Sequence, residues 1–326
     1  IFSIGDNDTF GMWYMQEVEH YRTDVRVINT SLLGTDWYID QMKHKAYTSE
    51  PIPSQLVHRQ YAYGVRDVIY FDQRTDKIWP IADFMAWVGS DDPKTKKVVD
   101  RNGEAPDLVY ASYPTNRIRI PVNKENVLAS GIVKPEDADK IVEYIDITLP
   151  YGMGKNRLLM LDIIANNDWK RPIYFTGGSY SDDEYIWMRD YLQLDGLAYK
   201  LVPIKTPIDK ENPYDMGRID SDLMYKIVKS WDWGNMDDPN IYHDPETRRN
   251  SIVFRGNLAR LTETLINEGK IQKAKDILDL ATKRIPVSHF GYYFTVEPFI
   301  TGYYQVKENE KPVSYSLRWP KSTKRI

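Results

Sequence analysis

The chain has 326 residues, a formal net charge of −4 at pH 7 and no cysteine. Acidic and basic residues are interspersed, so no basic stripe predicts binding to nucleic acid or to an anionic membrane surface. The lack of cysteine excludes disulfides, thiolate nucleophiles and sulfur-ligated metals. The 24 tyrosines and 9 tryptophans fit aromatic-rich sheets as well as a surface that binds flat sugar or peptide groups.

The first fifty residues predict the beginning of a βαβ unit. The segment "IFSIG" favours a strand, residues 10–21 carry aromatic and apolar residues at helical spacing, and "VRVINTSLL" favours a second strand. Thr35 and Asp36 are candidate N-caps for the helix "WYIDQMKHKAY" that follows. Short connections between such elements are typical of an α/β domain.

Residues 52–150 predict a β-rich insertion, because the strands "DVIYF", "NRIRIPV" and "YIDITL" are separated by proline and polar turns. The α/β pattern then returns as the helix "NRLLMLDIIANN", the strand "RPIYFTG", the helix "DDEYIWMRDYLQL" and the strand "LAYKLVPI". The apolar run "RLLMLDIIA" is too short to span a bilayer and is interrupted by Asp162. The sequence therefore predicts an α/β domain over residues 1–205, a mainly parallel three-layer sheet domain that contains the insertion.

The last third of the chain predicts a different architecture. Residues 206–249 are rich in Pro, Asp and Asn around one helix, "DSDLMYKIVKSW", and predict an extended linker. In residues 250–326, Gly269 closes one helix, Pro286 ends the next, and small residues such as Ala274 stand where helices would cross. This spacing predicts a tetratricopeptide-like helical hairpin, a unit that usually mediates protein contact.

Two carboxylates, Asp6 and Asp8, follow the first predicted strand. Open α/β sheets bind ligands at the carboxyl ends of their strands, and the strand "RPIYFTG" would end at the same edge if it neighbours the first. We therefore predict a ligand or acceptor crevice from the residues that follow these two strands. Its members are Asp6, Asn7, Asp8, Thr9, Trp13, Thr176, Gly177 and Gly178. Hydrogen-bonding groups beside an aromatic ring suit a polypeptide or a sugar better than a phosphate.

Other interpretations of the carboxylates stay open. Asp8 or Thr9 can cap the following helix by accepting backbone N–H bonds. Asp6 and Asp8 also match the loose DxD pattern of metal-dependent glycosyltransferases and could hold a divalent cation. The histidines lack paired ligand spacing, the serines lack a G-x-S-x-G motif, and "GMGK" at residues 152–155 lacks the length of a P-loop. These motifs therefore predict no zinc site, no His-based triad and no nucleotide hydrolase, and we predict no cofactor.

Three stretches resemble a known family: "GDNDTFGMWYMQEVEHYRTDVRVINTSLLGTDWYIDQM", "LLMLDIIANNDWKRPIYFTGG" and "GLAYKLVPI". They resemble the C-terminal extracytoplasmic region of large bacterial membrane proteins in the transmembrane protein O-mannosyltransferase family. The membrane part of that family looks like a GT-C glycosyltransferase that uses a lipid-linked sugar. In such enzymes the catalytic carboxylate lies in an extracytoplasmic loop of the membrane domain. The chain opens within an apolar run at Ile1 and Phe2, and we expect a longer natural polypeptide with membrane spans upstream.

The resemblance implies a periplasmic accessory domain, tethered to the inner membrane, that recognises or positions acceptor protein. The implied partners are an acceptor protein or glycan and the membrane domain of the same polypeptide, with no nucleic acid. On this interpretation the fragment itself has no catalytic residue, while its parent is a protein O-glycosyltransferase. Two alternatives remain, a metal-dependent sugar or phosphate-ester transferase that uses Asp6 and Asp8, and a structural protein-interaction module.

Overall fold

A computed structural model describes residues 1–99, 108–176, 185–207 and 216–307. The chain divides into two compact units. The first unit is formed by Ile1–Gln193 and Ala198–Gly217, and the second by Leu194–Leu197 and the chain from Arg218 onward.

Twelve strands occur in the described residues: β1 Phe2–Ser3, β2 Ile28–Asn29, β3 Val68–Phe71, β4 Trp79–Pro80, β5 Lys96–Val99, β6 Leu108–Tyr113, β7 Arg117–Pro121, β8 Tyr144–Thr148, β9 Gly152–Gly154, β10 Tyr174–Phe175, β11 Leu192–Asp195 and β12 Ala198–Leu201. The α-helices of the first unit are α1 Gly5–Glu17, α2 Asp36–Met42, α3 His58–Tyr61, α4 Ile81–Gly89, α5 Lys124–Ala129 and α6 Lys155–Asn167. Short 3₁₀ helices cover Leu32–Gly34, Pro93–Thr95, Pro135–Lys140 and Ile186–Tyr191.

The sheet that positions the predicted crevice has five strands in the order β11–β12–β10–β1–β2. Strand β1 runs parallel to both β10 and β2, whereas β12 runs antiparallel to β10. The α/β class predicted from the sequence is confirmed, but the prediction of a mainly parallel sheet is wrong. This sheet is mixed, and its parallel part is the trio β10, β1 and β2. The core behind it includes a stack of rings, with Phe175 5.4 Å from Phe2 and 5.0 Å from Tyr185 between ring centroids.

Residues 52–150 contribute most of two further sheets, with the orders β5–β6–β3–β9 and β4–β7–β8. Both sheets combine parallel and antiparallel pairs. For example, β3 and β6 are parallel, whereas β7 and β8 are antiparallel. The segment also contains helices α3, α4 and α5, which the sequence pattern did not predict. In α4, Ile81, Phe84 and Val88 are buried at spacings of three and four residues, so its apolar face packs into the core.

The predicted helix "DDEYIWMRDYLQL" is only partly present. Its first residues lie outside the described part, Ile186–Tyr191 form a 3₁₀ helix, and Leu192–Asp195 form the buried strand β11. A two-residue connection that starts at Gly196, with φ of 72°, leads into β12. Gly at the first position of such a loop is typical of a β-hairpin, so pairing with β12 overrides the helical spacing.

The second unit is helical: α7 Ser221–Lys229, α8 Pro245–Asn267, α9 Ile271–Arg284, α10 Val287–Phe290 and α11 Glu297–Gln305, with a 3₁₀ turn at Tyr293–Thr295. Asp244 caps α8 by accepting from the backbone N–H groups of Glu246 and Thr247 at 2.9 and 3.1 Å. Helices α8 and α9 are joined at Gly269, whose φ is 73°, which confirms the predicted helix end. Assignment of these helices to a tetratricopeptide repeat remains a prediction.

Candidate functional site

Parallel pairing brings the carboxyl ends of β1 and β10 to one edge of the sheet. Phe2 lies opposite Phe175 in this pair, and the backbone N–H of Thr176 donates to the Phe2 carbonyl at 2.8 Å. The Thr176 hydroxyl then donates to Asp8 Oδ2 at 2.9 Å. Two members of the predicted crevice, 168 residues apart in sequence, are therefore in direct contact.

Helix α1 starts at Gly5, only one residue after β1, so Asp6, Asn7 and Asp8 all lie in its first turn. The N-cap is Ile4, which has no side chain able to cap, and the hypothesis that Asp8 or Thr9 is the N-cap is wrong. Both carboxylates instead lie near the positive end of the helix dipole, where negative charge is favoured.

The helical conformation also bears on the cation hypothesis. Residues two apart on a helix do not face each other, so Asp6 and Asp8 point in different directions and do not form a chelating pair in this conformation. Within the described ranges, no group of three or more His, Asp or Glu side chains is placed to hold a metal ion.

Thr9 is fully buried and belongs to a polar network beneath the sheet edge. Its hydroxyl donates to the Gly5 carbonyl at 2.6 Å, accepts from Asn29 Nδ2 at 3.1 Å and lies 2.7 Å from Ser3 Oγ. Asn29 Oδ1 in turn accepts from the Ser31 N–H at 2.9 Å. Thr9 therefore fastens α1 to β1 and β2 and is not a rim residue. Sequence reasoning missed Ser3 and Asn29, whose only signal was a polar residue at the end of each strand.

Trp13 does not share the rim with Asp6. It lies seven residues further along α1, or about 10 Å at 1.5 Å per residue. Trp13 instead lines a separate cavity of about 340 Å³ formed by α1, α2 and the segment before β2. Gly177 and Gly178, the remaining predicted members, lie outside the described residues.

The outer face of α1 and the turn that follows it exposes a row of apolar side chains. Phe10, Tyr14, Val18 and Tyr21 are each more than half exposed, and their spacings of four, four and three residues place the helical members on one face. We call these four residues the apolar strip. Contiguous exposed apolar surface on a protein commonly marks an interaction site.

No helix in the described part of the chain combines the length and the apolar character needed to cross a bilayer. No curated protein and no solved structure matches the chain. A family model described as TMEM260-associated domain 2 matches residues 1–223. The matched region includes the sheet edge, the apolar strip and the cavity beside Trp13. Because the match covers more than half of the chain, the protein belongs to the TMEM260-associated domain 2 family, which is tied to the O-mannosyltransferase-like membrane protein TMEM260.

Proposed function

We propose that the protein is an extracytoplasmic accessory domain of a TMEM260-like, membrane-bound O-glycosyltransferase, and that it recognises acceptor protein and positions it for the catalytic membrane part. The family match over residues 1–223 is the observation that carries this proposal. It is supported by a surface on α1 whose chemistry suits a polypeptide.

That surface combines carboxylates with exposed apolar side chains on one helix. Asp6 is exposed in the first turn, and the apolar strip begins one turn later at Phe10. The sequence of α1, "GDNDTFGMWYMQE", contains no lysine or arginine. Carboxylate oxygens accept hydrogen bonds from backbone N–H and from the hydroxyls of Ser and Thr, while the strip covers apolar side chains of the same polypeptide.

We further propose that the domain faces the periplasm of a bacterium and is tethered to the inner membrane through the membrane domain of the same polypeptide. The resemblance of "GDNDTFGMWYMQEVEHYRTDVRVINTSLL" to bacterial members of the O-mannosyltransferase family supports this location. The hairpin α8–α9 is proposed as a tetratricopeptide-like contact region. Its small crossing residues Ala274 and Ala281 are 0% and 2% exposed, which supports close helix packing.

The test uses the full-length membrane protein that contains this chain, expressed in cells that lack it. O-hexosylated peptides are quantified by mass spectrometry for the parent and for the double variant Phe10→Ala/Tyr14→Ala. We expect the variant to lower site occupancy severalfold at unchanged protein level, because acceptor is held less tightly. Tyr151→Ala is the matched control, since Tyr151 is 79% exposed and directly precedes β9, outside α1.

Unchanged occupancy in the double variant would contradict an acceptor-binding role for α1 and favour a structural interaction module. The enzymatic alternative has its own test, in which the purified chain is incubated with a lipid-linked or nucleotide-linked sugar and an acceptor identified in the cell experiment. Donor-dependent transfer that Asp6→Asn abolishes would replace the proposal with a transferase.

A further inference from the structure

The cavity beside Trp13 is separate from the sheet edge that the sequence singled out. It measures about 340 Å³, near the lower end of the range typical of small-molecule sites. Its walls come from α1, α2, the segment before β2 and the turn around Tyr47. All of these belong to the first unit.

Four aromatic side chains line the cavity: Trp13, Trp37, Tyr38 and Tyr47. Trp13 is half-buried, while Trp37 and Tyr47 are 56% and 52% exposed. Tyr38, also a lining residue, is buried and accepts from the Asn29 N–H at 2.9 Å, so its position is fixed. Flat, partly exposed ring faces around a small cavity can stack against the C–H face of a pyranose ring.

Several polar groups of the lining have no partner within the described ranges. The indole N–H groups of Trp13 and Trp37 and the side-chain amide of Gln41 make no hydrogen bond there. Glu17 accepts from the Tyr47 hydroxyl through Oε2, which leaves its other oxygen available. The cavity therefore offers donors and acceptors side by side, as a ligand with several hydroxyls requires.

Arg26 is a buried cation that lines this cavity and also a neighbouring one. Arg26 is 8% exposed, and its Nη2 donates to the Met42 carbonyl at 3.1 Å and to the His44 carbonyl. Its Nε has no hydrogen-bond partner, and no carboxylate of the described chain forms an ion pair with it. Burial lowers the pKa of Arg26 below its ordinary value, although an arginine stays charged in proteins. A buried guanidinium without a carboxylate partner is costly, and ligand oxygen atoms would stabilise it.

The charges of the lining residues favour one class of oxygen-rich ligand over the others. Arg26 and Glu17 carry opposite charges and both line the cavity, so its lining has no net charge. A phosphate or carboxylate ligand would gain attraction from Arg26 but meet repulsion from Glu17. A neutral hydroxyl can donate to Glu17 and accept from the N–H groups of the lining, so it satisfies the acceptor and the donors without charge repulsion.

We infer that this cavity binds a neutral hexopyranose unit of a glycan. The biological role rests on the proposed function: a domain that holds acceptor polypeptide on the apolar strip also holds a sugar already attached to that polypeptide. The two surfaces adjoin, because the rings of Phe10 and Trp13 lie 5.7 Å apart between centroids. Such a site would retain acceptors that already carry a sugar.

The test titrates the purified chain with methyl glycosides of mannose, glucose, galactose and N-acetylglucosamine, monitored by tryptophan fluorescence and saturation-transfer NMR. Glucose 6-phosphate and a proline-rich peptide are run in parallel. We expect saturable binding of at least one methyl hexoside and weaker or no binding of the phosphate. Trp37→Ala should weaken this binding about tenfold or more, which corresponds to a loss of about 1.4 kcal/mol.

Gln41→Ala and Glu17→Gln keep all four aromatic rings of the lining. Each should weaken binding severalfold, while the midpoint of urea unfolding stays that of the parent. Tyr151→Ala again serves as the control and should bind as the parent does. The inference is overturned if no hexoside binds, if Trp37→Ala and Gln41→Ala bind like the parent, or if only the peptide or the phosphate binds.

The outcome is separable from that of the proposed function. If no hexoside binds but Phe10→Ala/Tyr14→Ala still lowers cellular glycosylation, the sugar site is contradicted and acceptor recognition by α1 is supported. If a hexoside binds but Phe10→Ala/Tyr14→Ala does not change cellular glycosylation, the sugar site is supported and acceptor recognition by α1 is contradicted.

Discussion

Asp162 offers the sharpest stability prediction. It lies in α6, is 2% exposed, and its Oδ2 accepts from the backbone N–H groups of Gln55 and Leu56 at 3.0 and 3.3 Å and from the Ser54 hydroxyl. Oδ1 accepts from Asn166 Nδ2 at 2.8 Å. The Asp162 carboxylate thus holds the segment Ser54–Leu56, more than a hundred residues away in sequence, against α6.

The loss of unfolding free energy expected for Asp162→Ala follows from the donor groups that the substitution leaves without an acceptor. Leu56 is 5% exposed, so its N–H cannot turn to water, and such a group costs about 1–3 kcal/mol. Gln55 is exposed and its N–H can be solvated. Removing a desolvated charge offsets part of the loss, so we expect Asp162→Ala to lower the free energy of unfolding by about 2 kcal/mol. Asp162→Asn keeps one acceptor oxygen and should cost less than about 1 kcal/mol.

The pH dependence has an unusual sign for an aspartate. Burial is the largest cause that raises the pKa of Asp162 above 3.8, against hydrogen bonds and nearby Lys43 that lower it. Because the folded state binds the proton more tightly than the unfolded state, ionisation of Asp162 destabilises the fold. This cost is absent below pH 3.8 and fully present above the raised pKa. The stability of Asp162→Asn relative to the parent should therefore increase as the pH rises through that window.

The assay is urea unfolding followed by tryptophan fluorescence, with hydrogen exchange of residues 52–57 as the local readout. We expect Asp162→Ala to lose amide protection at Leu56. Asp139→Ala is the matched control, since Asp139 is exposed and should change stability by less than about 0.5 kcal/mol. An unfolding free energy of Asp162→Ala within 0.5 kcal/mol of the parent, or unchanged exchange at Leu56, would refute the reasoning.

Three further predictions concern electrostatics and backbone conformation. Hydrogen bonds from Lys270 and then Lys273 lower the pKa of Asp222 to about 2, so its stabilisation is complete above pH 3.8 and is lost as the pH falls toward 2. With the carboxylate 44% exposed, Asp222→Asn should cost about 0.5–1 kcal/mol in urea unfolding at pH 7, and less in high salt. Gly217→Ala should cost about 2 kcal/mol or more by thermal unfolding, because φ is 71° and the new Cβ would lie 2.5 Å from a backbone carbonyl oxygen; unchanged melting would contradict the prediction. Gly256→Ala should stabilise α8 by about 0.5–1 kcal/mol, since this exposed helical glycine has no atom within 4 Å of the added methyl, and a lower melting temperature would count against it.

Local patterns were enough to predict many individual elements. Apolar spacing and flanking Gly or Pro residues located α6, α8 and α9, and short apolar runs located β3, β7, β8, β10 and β12. The shared edge of β1 and β10 was also predictable, because parallel strands end at the same side of a sheet. Contact between Asp8 and Thr176 follows from that edge.

Predictions failed where a distant segment decided the outcome or where the start and rise of α1 differ from the expected ones. The residues of β11 have helical spacing, but β12 offers them backbone partners and burial. Trp13 was assigned to the crevice because it is close in sequence to Asp6, whereas the rise of α1 carries it into another cavity. The sequence pattern suggests Thr9 as a cap, whereas α1 already begins at Gly5, so Thr9 lies inside the helix.

The sequence by itself determined that this is a cysteine-free α/β protein with a helical C-terminal region and an acidic segment after its first strand. Only the tertiary structure decided what faces that segment and which residues surround Arg26. It also decided that Asp162, which in the sequence only interrupts an apolar run, holds the segment around Leu56. The physical reason is that periodicity reports which side of an element is buried, whereas the identity of the covering segment depends on contacts between residues far apart in the chain.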